Sequence, residues 1–223
     1  MADSLIKRSP IHHLLEAHQP EWNQNTDVPI AIQIQSNDAE RKMMQTLGLC
    51  DLSGLHKLGV KGSKAENWLA GQGMEIPASI YESRKLSDGG YIVRLATDEF
   101  LLESGPRNEV VPALETELKS NGGDCLRVER QDATFLLVGS RSIEVLLQTC
   151  GINFEEAASR HLIFTRVAGV SCGILPDFME EIPTYRFWFD NSYAVYLWET
   201  LAEICHDLGG NIVGAGSVFP EFK

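Results

Sequence analysis

The chain has 223 residues, 43% of them hydrophobic, and carries 19 basic against 31 acidic side chains for a formal net charge of −12. That length and apolar content suffice for one sizeable core or two small ones, while the negative balance excludes a general attraction to nucleic-acid backbones or anionic membrane surfaces. No run approaches the ~20 apolar residues that a membrane helix needs, and His12, His13, Glu16 and His18 interrupt any signal-peptide core, so a cytoplasmic protein is expected.

Residues 1–45 are expected to form an N-terminal arm with one strand and a short helix. Pro10, Pro20 and Pro29 punctuate it, Ile11 to Ala17 suits a short helix, and Ile30, Ile32 and Ile34 alternate in the period-2 manner of a half-buried strand. Residues 38–47 suit one or two helical turns.

Residues 46–122 read as a first α+β half. A strand at 55–61 leads into a helix opened by Ser63, and β-type runs follow at 79–84, 91–96 and 100–104, with turn signals at Asp88-Gly-Gly90 and Thr97-Asp98. A helix over 108–119 then places Val110, Val111, Leu114 and Leu118 on one face and stops at Asn121-Gly-Gly123.

Residues 123–223 repeat the order. Strands at 125–129 and 134–138 precede a helix at 141–149 and β-type runs at 162–175 and 184–189. The last helix is the clearest: Asn191 or Ser192 can cap it, Ala194, Leu197, Trp198, Leu201 and Cys205 recur at helical spacing, and Gly209-Gly210 ends it. Residues 212–219 could add an edge strand. The predicted class is α+β, two related β-α-β-β-α type halves with antiparallel sheets.

The repeat is plainest at Gly62-Ser-Lys64 and Gly139-Ser-Arg141, each between an apolar run and a helix-period pattern. Backbone donors and a cation at a helix start can hold an anion, but a phosphate loop needs a different ending and an earlier glycine. A tight turn with a serine cap is the plainer reading. The five cysteines are far apart with no Cys-x-x-Cys pair, so neither a disulfide framework nor a zinc ribbon follows. His12, His13 and His18 miss the i, i+4 spacing that metals favour, and no metal site is expected. Cys205 and His206, adjacent on a helix, point apart and cannot form an activated nucleophile. Asp98-Glu99 and Glu180-Glu181 fall in turns where water keeps carboxylates ordinary.

Tyr185-Arg-Phe-Trp-Phe189 puts three aromatics on one strand face and Arg186 and Trp188 on the other. Arg and Trp are enriched in interface hot spots, so Arg186 and Trp188 are candidate contacts for another chain. The competing reading is a Trp188 covered by the chain's own N-terminal arm.

Asp51-Leu-Ser53, Leu58-Gly-Val-Lys-Gly-Ser-Lys-Ala65, Val93-Arg-Leu-Ala-Thr-Asp-Glu-Phe-Leu-Leu102 and Leu137-Val-Gly139 resemble the folate-binding region of the glycine-cleavage T-protein (aminomethyltransferase) superfamily. Within it, Thr165-Arg-Val-Ala168, the aromatic strand and Asn191-Ser-Tyr-Ala-Val-Tyr-Leu-Trp198 are most similar to the gamma subunit of heterotetrameric sarcosine oxidase. The resemblance implies two related halves without the C-terminal barrel of T-proteins. It also implies larger partner subunits that hold FAD, FMN, NAD and tetrahydrofolate and convert sarcosine to glycine, with no cofactor and no catalytic residue in this chain.

T-proteins carry an acidic pair just before the strand that corresponds to 91–95, where this chain has Gly89-Gly90 and a displaced Asp88. The alternative is a stand-alone tetrahydrofolate-binding protein or aminomethyltransferase-like one-carbon enzyme, with Asp88 at the cofactor. The Lys-Gly-Cys-Tyr motif of iron–sulfur-repair relatives is absent, since Ser63 follows Lys61-Gly62.

Overall fold

A computed structural model describes residues 7–23 and 27–222. In chain order the elements are α1 (His12–Glu16), β1 (Glu21–Asn23), β2 (Ile30–Gln33), α2 (Asn37–Thr46), β3 (Gly48–Asp51), β4 (Lys57–Lys61), α3 (Ala65–Gly71), β5 (Ser83–Lys85), β6 (Tyr91–Ala96), β7 (Glu99–Glu103), α4 (Val110–Asn121) and β8 (Leu126–Val128). The order from β4 to β8 then recurs as β9 (Asp132–Val138), α5 (Ser142–Thr149), β10 (Ile163–Val167), β11 (Val170–Met179), β12 (Ile182–Asp190), α6 (Ala194–Asp207) and β13 (Asn211–Ile212), and α7 (Ala215–Val218) follows.

The predicted duplication appears both in element order and in sheet order. The five-stranded sheet runs β5-β6-β7-β4-β8, and the six-stranded sheet runs β10-β11-β12-β9-β3-β13. The first four strands correspond one to one. The fifth position is filled crosswise: β8 directly precedes β9 in the chain yet pairs with β4, and β3 directly precedes β4 yet pairs with β9, both antiparallel.

This exchange sets the compact units. One, the inserted unit, comprises 55–131 with 160–163, and the other, the flanking unit, comprises 7–54, 132–159 and 164–222. The expected linear division at 45/46 and 122/123 differs on both counts. Residues 123–131 stay with the inserted unit because β8 completes its sheet, and residues 30–51 are integral to the flanking unit rather than an arm.

In the inserted unit one sheet face is apolar by alternation, and α3 and α4 close over it. Leu58, Val60, Ile92, Phe100 and Leu102 from the strands pack with Ala65 and Leu69 of α3 and Val111, Leu114 and Leu118 of α4. Each such side chain contributes roughly 1.5–3 kcal/mol of burial. In the flanking unit Phe135 meets Phe189 and Trp198 edge-on, at 4.9 and 5.0 Å between ring centroids, which seats α6 on the sheet.

Several local expectations shift. The run at 162–175 is broken by Ala168-Gly169, whose φ values of 48° and 85° make a tight turn between β10 and β11. The run at 79–84 shrinks to β5 because Tyr81, at φ 70°, turns the chain and the Glu82 carboxylate caps the Ala78 and Ser79 amides. Asp190 caps the turn ahead of α6 through the Ser192 amide, in place of Asn191 or Ser192. The expected edge strand at 212–219 is two residues of strand followed by α7. No helix among the described residues is long and apolar enough to cross a membrane.

Candidate functional site

The inserted unit holds the position at which the resemblance implies a ligand carboxylate. Asp88 is buried at 4% exposure. Its Oδ1 accepts from the Gly90 amide at 3.1 Å, and its Oδ2 accepts from the Val110 amide, the first of α4, at 3.3 Å. Each oxygen thus holds one backbone donor, tying the turn before β6 to the start of α4.

The two glycines beside it differ. Gly89 has φ 86° and only Pro106 Cδ near a hypothetical Cβ, at 3.5 Å. At Gly90 a Cβ would lie 2.1 Å from the Glu103 carbonyl oxygen, and at Gly105 one would lie 1.8 Å from the Asp88 carbonyl oxygen. Two backbone segments cross here with no room for side chains, so an acidic residue has no place at position 90. The turn does not fit a pterin held by an acidic pair.

Behind the crossing the unit buries charge that sequence reasoning missed. Lys57 Nζ lies 3.4 Å from Glu103 Oε2, with side-chain exposures of 3% and 0%, on directly paired residues of β4 and β7. At the same end His56 Nε2 lies 2.7 Å from Glu115 Oε2, and Arg127 and Lys119 reach Glu115 Oε1 at 2.6 and 3.3 Å. Glu115 falls between Leu114 and Leu118 on the buried side of α4, and an acid amid an apolar stripe was the available signal.

Burial alone would raise the Glu115 pKa. The His56, Arg127 and Lys119 hydrogen bonds outweigh it and bring the carboxyl from 4.5 to about 2. A depressed folded-state pKa contributes stability above the unfolded value, lost as pH falls through the folded one. The Tm advantage of wild type over Glu115→Gln is accordingly expected to hold at pH 7, shrink below about pH 4.5 and vanish near pH 2. A gap that stays constant across that range, read by circular dichroism melts, would refute the assignment.

The Gly-Ser-basic turns prove to be packing devices for the exchanged strands. Gly62 and Gly139 have φ of 136° and 117°, and a Cβ there would lie 2.7 Å from Asp124 O and 2.4 Å from Thr46 O. Asp124 and Thr46 each stand two residues ahead of β8 and β3. In the second copy the amides of Ser140 and Arg141 donate to the carbonyls of Gln45 and Thr46. Lys64 pairs with Asp124 at 2.5 Å, and Arg141 forks onto Glu144. Neither serine caps its helix through its side chain; the N-cap residues are Lys64 and Arg141.

Arg186 and Trp188 are 4% and 5% exposed. The expected open contact surface is therefore closed in this chain. The Arg186 guanidinium lies 5.8 Å from the Phe219 ring centroid, so part of that face is occupied by the C-terminal segment. Cys205 is buried while His206 is exposed, and burial pushes the Cys205 thiol up to about 12, as a core cysteine should behave. His12 stacks on Trp22 at 4.2 Å, and no group of three metal-ligating side chains occurs among the described residues.

One fully buried carboxylate was not singled out from the sequence. Glu40 of α2 is fully buried. Its Oε1 accepts from the amides of Ile34, Gln35 and Gly214 at 2.7, 2.9 and 3.1 Å, and its Oε2 accepts from the Ser217 hydroxyl. Its spacing from Met44 on a helix face was the clue.

No family model and no curated protein matches the chain. Among solved structures, the glycine cleavage system aminomethyltransferase T from Bartonella henselae superposes with a TM-score of 0.74 at 19% identity, covering 95% of this chain and 60% of that one. The chain has a T-protein-like fold. It spans about 60% of that aminomethyltransferase. A chain of the heterotetrameric sarcosine oxidase from Corynebacterium sp. U-96, in complex with pyrrole 2-carboxylate, superposes with a TM-score of 0.66 at 19% identity, over 93% of this chain and 99% of that one. The T-protein-like fold lacks a closed barrel among the described residues.

Proposed function

We propose that this chain is a non-catalytic, gamma-type subunit of a heterotetrameric sarcosine-oxidase-like complex in the cytoplasm. In it, larger partner subunits bearing FAD, FMN, NAD and tetrahydrofolate carry out the oxidative demethylation of sarcosine to glycine. The carrying observation is the end-to-end correspondence, 93% against 99%, with a chain of a heterotetrameric sarcosine oxidase. Two details support it. Asp88 is committed to the Gly90 and Val110 amides, and a side chain at position 90 meets the backbone of Glu103. A carboxylate that serves a substrate must be within hydrogen-bond reach of it.

Affinity purification of the full chain from its own host is expected to bring down flavin-bearing chains together with sarcosine-dependent oxidase activity. Recovery of the chain alone, under conditions that keep complexes intact, would remove this reading. The likeness to an aminomethyltransferase over 95% of the chain favours a second one, a stand-alone tetrahydrofolate-binding protein or one-carbon transferase. Calorimetric titration separates the two: no heat with tetrahydrofolate is expected from the isolated chain, and micromolar binding would favour the alternative.

A further inference from the structure

We infer that the exposed face of α6 is the surface on which this chain docks to a partner polypeptide whose contacting patch is basic and carries apolar side chains. The inference deepens the subunit reading and rests on it. Tyr193 and Tyr196 are each 52% exposed and Val195 37%, clustered at the start of α6. The buried side of the helix is Ala194, Leu197, Trp198, Leu201 and Cys205; Tyr196 is held to the β10–β11 turn by its hydroxyl, which donates to the Ala168 carbonyl at 2.9 Å, while its ring, Tyr193 and Val195 stay open to solvent. Aromatic side chains held on a rigid helix give large contact area at little conformational cost.

From the aromatic cluster a row of carboxylates runs down the same helix. Glu199, Glu203 and Asp207 follow Val195 at successive i, i+4 steps, and all three are exposed. Like charges at that spacing destabilise a helix by about 0.2–0.5 kcal/mol per pair. No lysine or arginine occurs anywhere in 187–222 to offset them. The Arg141 fork shows that this fold can pair a half-buried carboxylate with its own arginine. On α6 no ion pair forms at Glu199, Glu203 or Asp207 among the described residues, and the one arginine at the helix end, Arg141, is spent on Glu144 and on the Leu208 carbonyl.

The sign decides the occupant. An isologous contact with a second copy would set carboxylate rows against each other, and nucleic acid or an anionic bilayer is repelled. A basic polypeptide surface gains both charge complementarity, which speeds association and weakens with salt, and a seat for apolar groups against the tyrosines.

The test uses the full chain, tagged and expressed in its host, with the partner recognised by its bound flavin absorbance and its mass. Glu199→Lys with Glu203→Lys, and separately Tyr193→Ser, are compared with Glu21→Lys with Glu129→Lys, which makes the same change in net charge elsewhere on the surface. Capture of the flavin-bearing partner is expected to fall at least tenfold for both α6 variants and to stay within twofold for the control, all with unchanged circular dichroism. Retained capture by the α6 variants overturns this inference and leaves the subunit reading standing. Loss in the control to the same degree also overturns it, since general charge would then suffice. Failure of wild type to capture any flavoprotein removes both. Self-association of the isolated chain that the α6 variants abolish would assign the face to a second copy instead.

Discussion

Gly90→Asp, the smallest edit that returns a carboxylate to the entrance of β6, is expected to unfold the inserted unit rather than create a pterin site. The new Cβ would sit 2.1 Å from the Glu103 carbonyl oxygen and 2.6 Å from the Gly105 amide nitrogen, both backbone atoms. Neither can swing aside as a side chain would. Gly105 in turn stands against Asp88, so relief of one contact tightens the other. A loss of at least about 4 kcal/mol is expected, in the range reserved for named steric failures. Gly89→Ala supplies the contrast. Space is open there and only the positive φ is penalised, at about 1 kcal/mol. Urea unfolding of the full chain followed by circular dichroism reads both. A Gly90→Asp protein that melts with the wild type would show that the crossing opens easily and would reinstate a ligand role for this turn.

Glu40→Ala is expected to cost on the order of 3–5 kcal/mol, because it leaves several buried donors unanswered. Three amides and one hydroxyl converge on this carboxylate, and two of those donors, from Gly214 and Ser217, lie more than 170 residues away in sequence. Glu40→Gln can keep its oxygen toward the three amides and turn its amide NH2 to the Ser217 hydroxyl, which can accept in place of donating but loses a charge-assisted bond. It is expected to fall between alanine and wild type. Hydrogen exchange gives the location: faster exchange in α7 and β2 should accompany the loss. A Glu40→Ala chain with wild-type stability and unchanged exchange there would show the contacts to be incidental.

The α+β class, the duplication and both long helices were legible because each rests on local periodicity. Val111, Leu114 and Leu118 mark α4, and Leu197, Trp198, Leu201 and Cys205 mark α6. The unit boundaries were not legible. Nothing in Gly48-Leu-Cys-Asp51 or Leu126-Arg-Val128 says which of two similar sheets each will join, since strand pairing is decided by distant partners. Arg186 and Trp188 alternate with the aromatic face as expected of a strand, yet both are buried, and Arg186 lies under Phe219 of a C-terminal segment whose local pattern suggested a strand. Glu40 and Glu115 escaped notice because a charged residue on an apolar helix face looks like a blemish until its donors are seen. The glycines at 62 and 139 were read as turns, which they are; the approaching carbonyls that demand them come from elsewhere in the chain.

The crosswise filling of the fifth sheet position has a consequence for synthesis on the ribosome. Gly48–Asp51 emerges early and cannot find Asp132–Val138 until some eighty further residues have been translated. Through that interval an apolar strand waits without its neighbour, while the sheet around Lys57–Lys61 is itself unfinished until Leu126–Val128 appears. Nascent chains stalled between those points should be the ones that chaperones hold and proteases cut, and severing the gene at either link should give two fragments that become soluble only when made together.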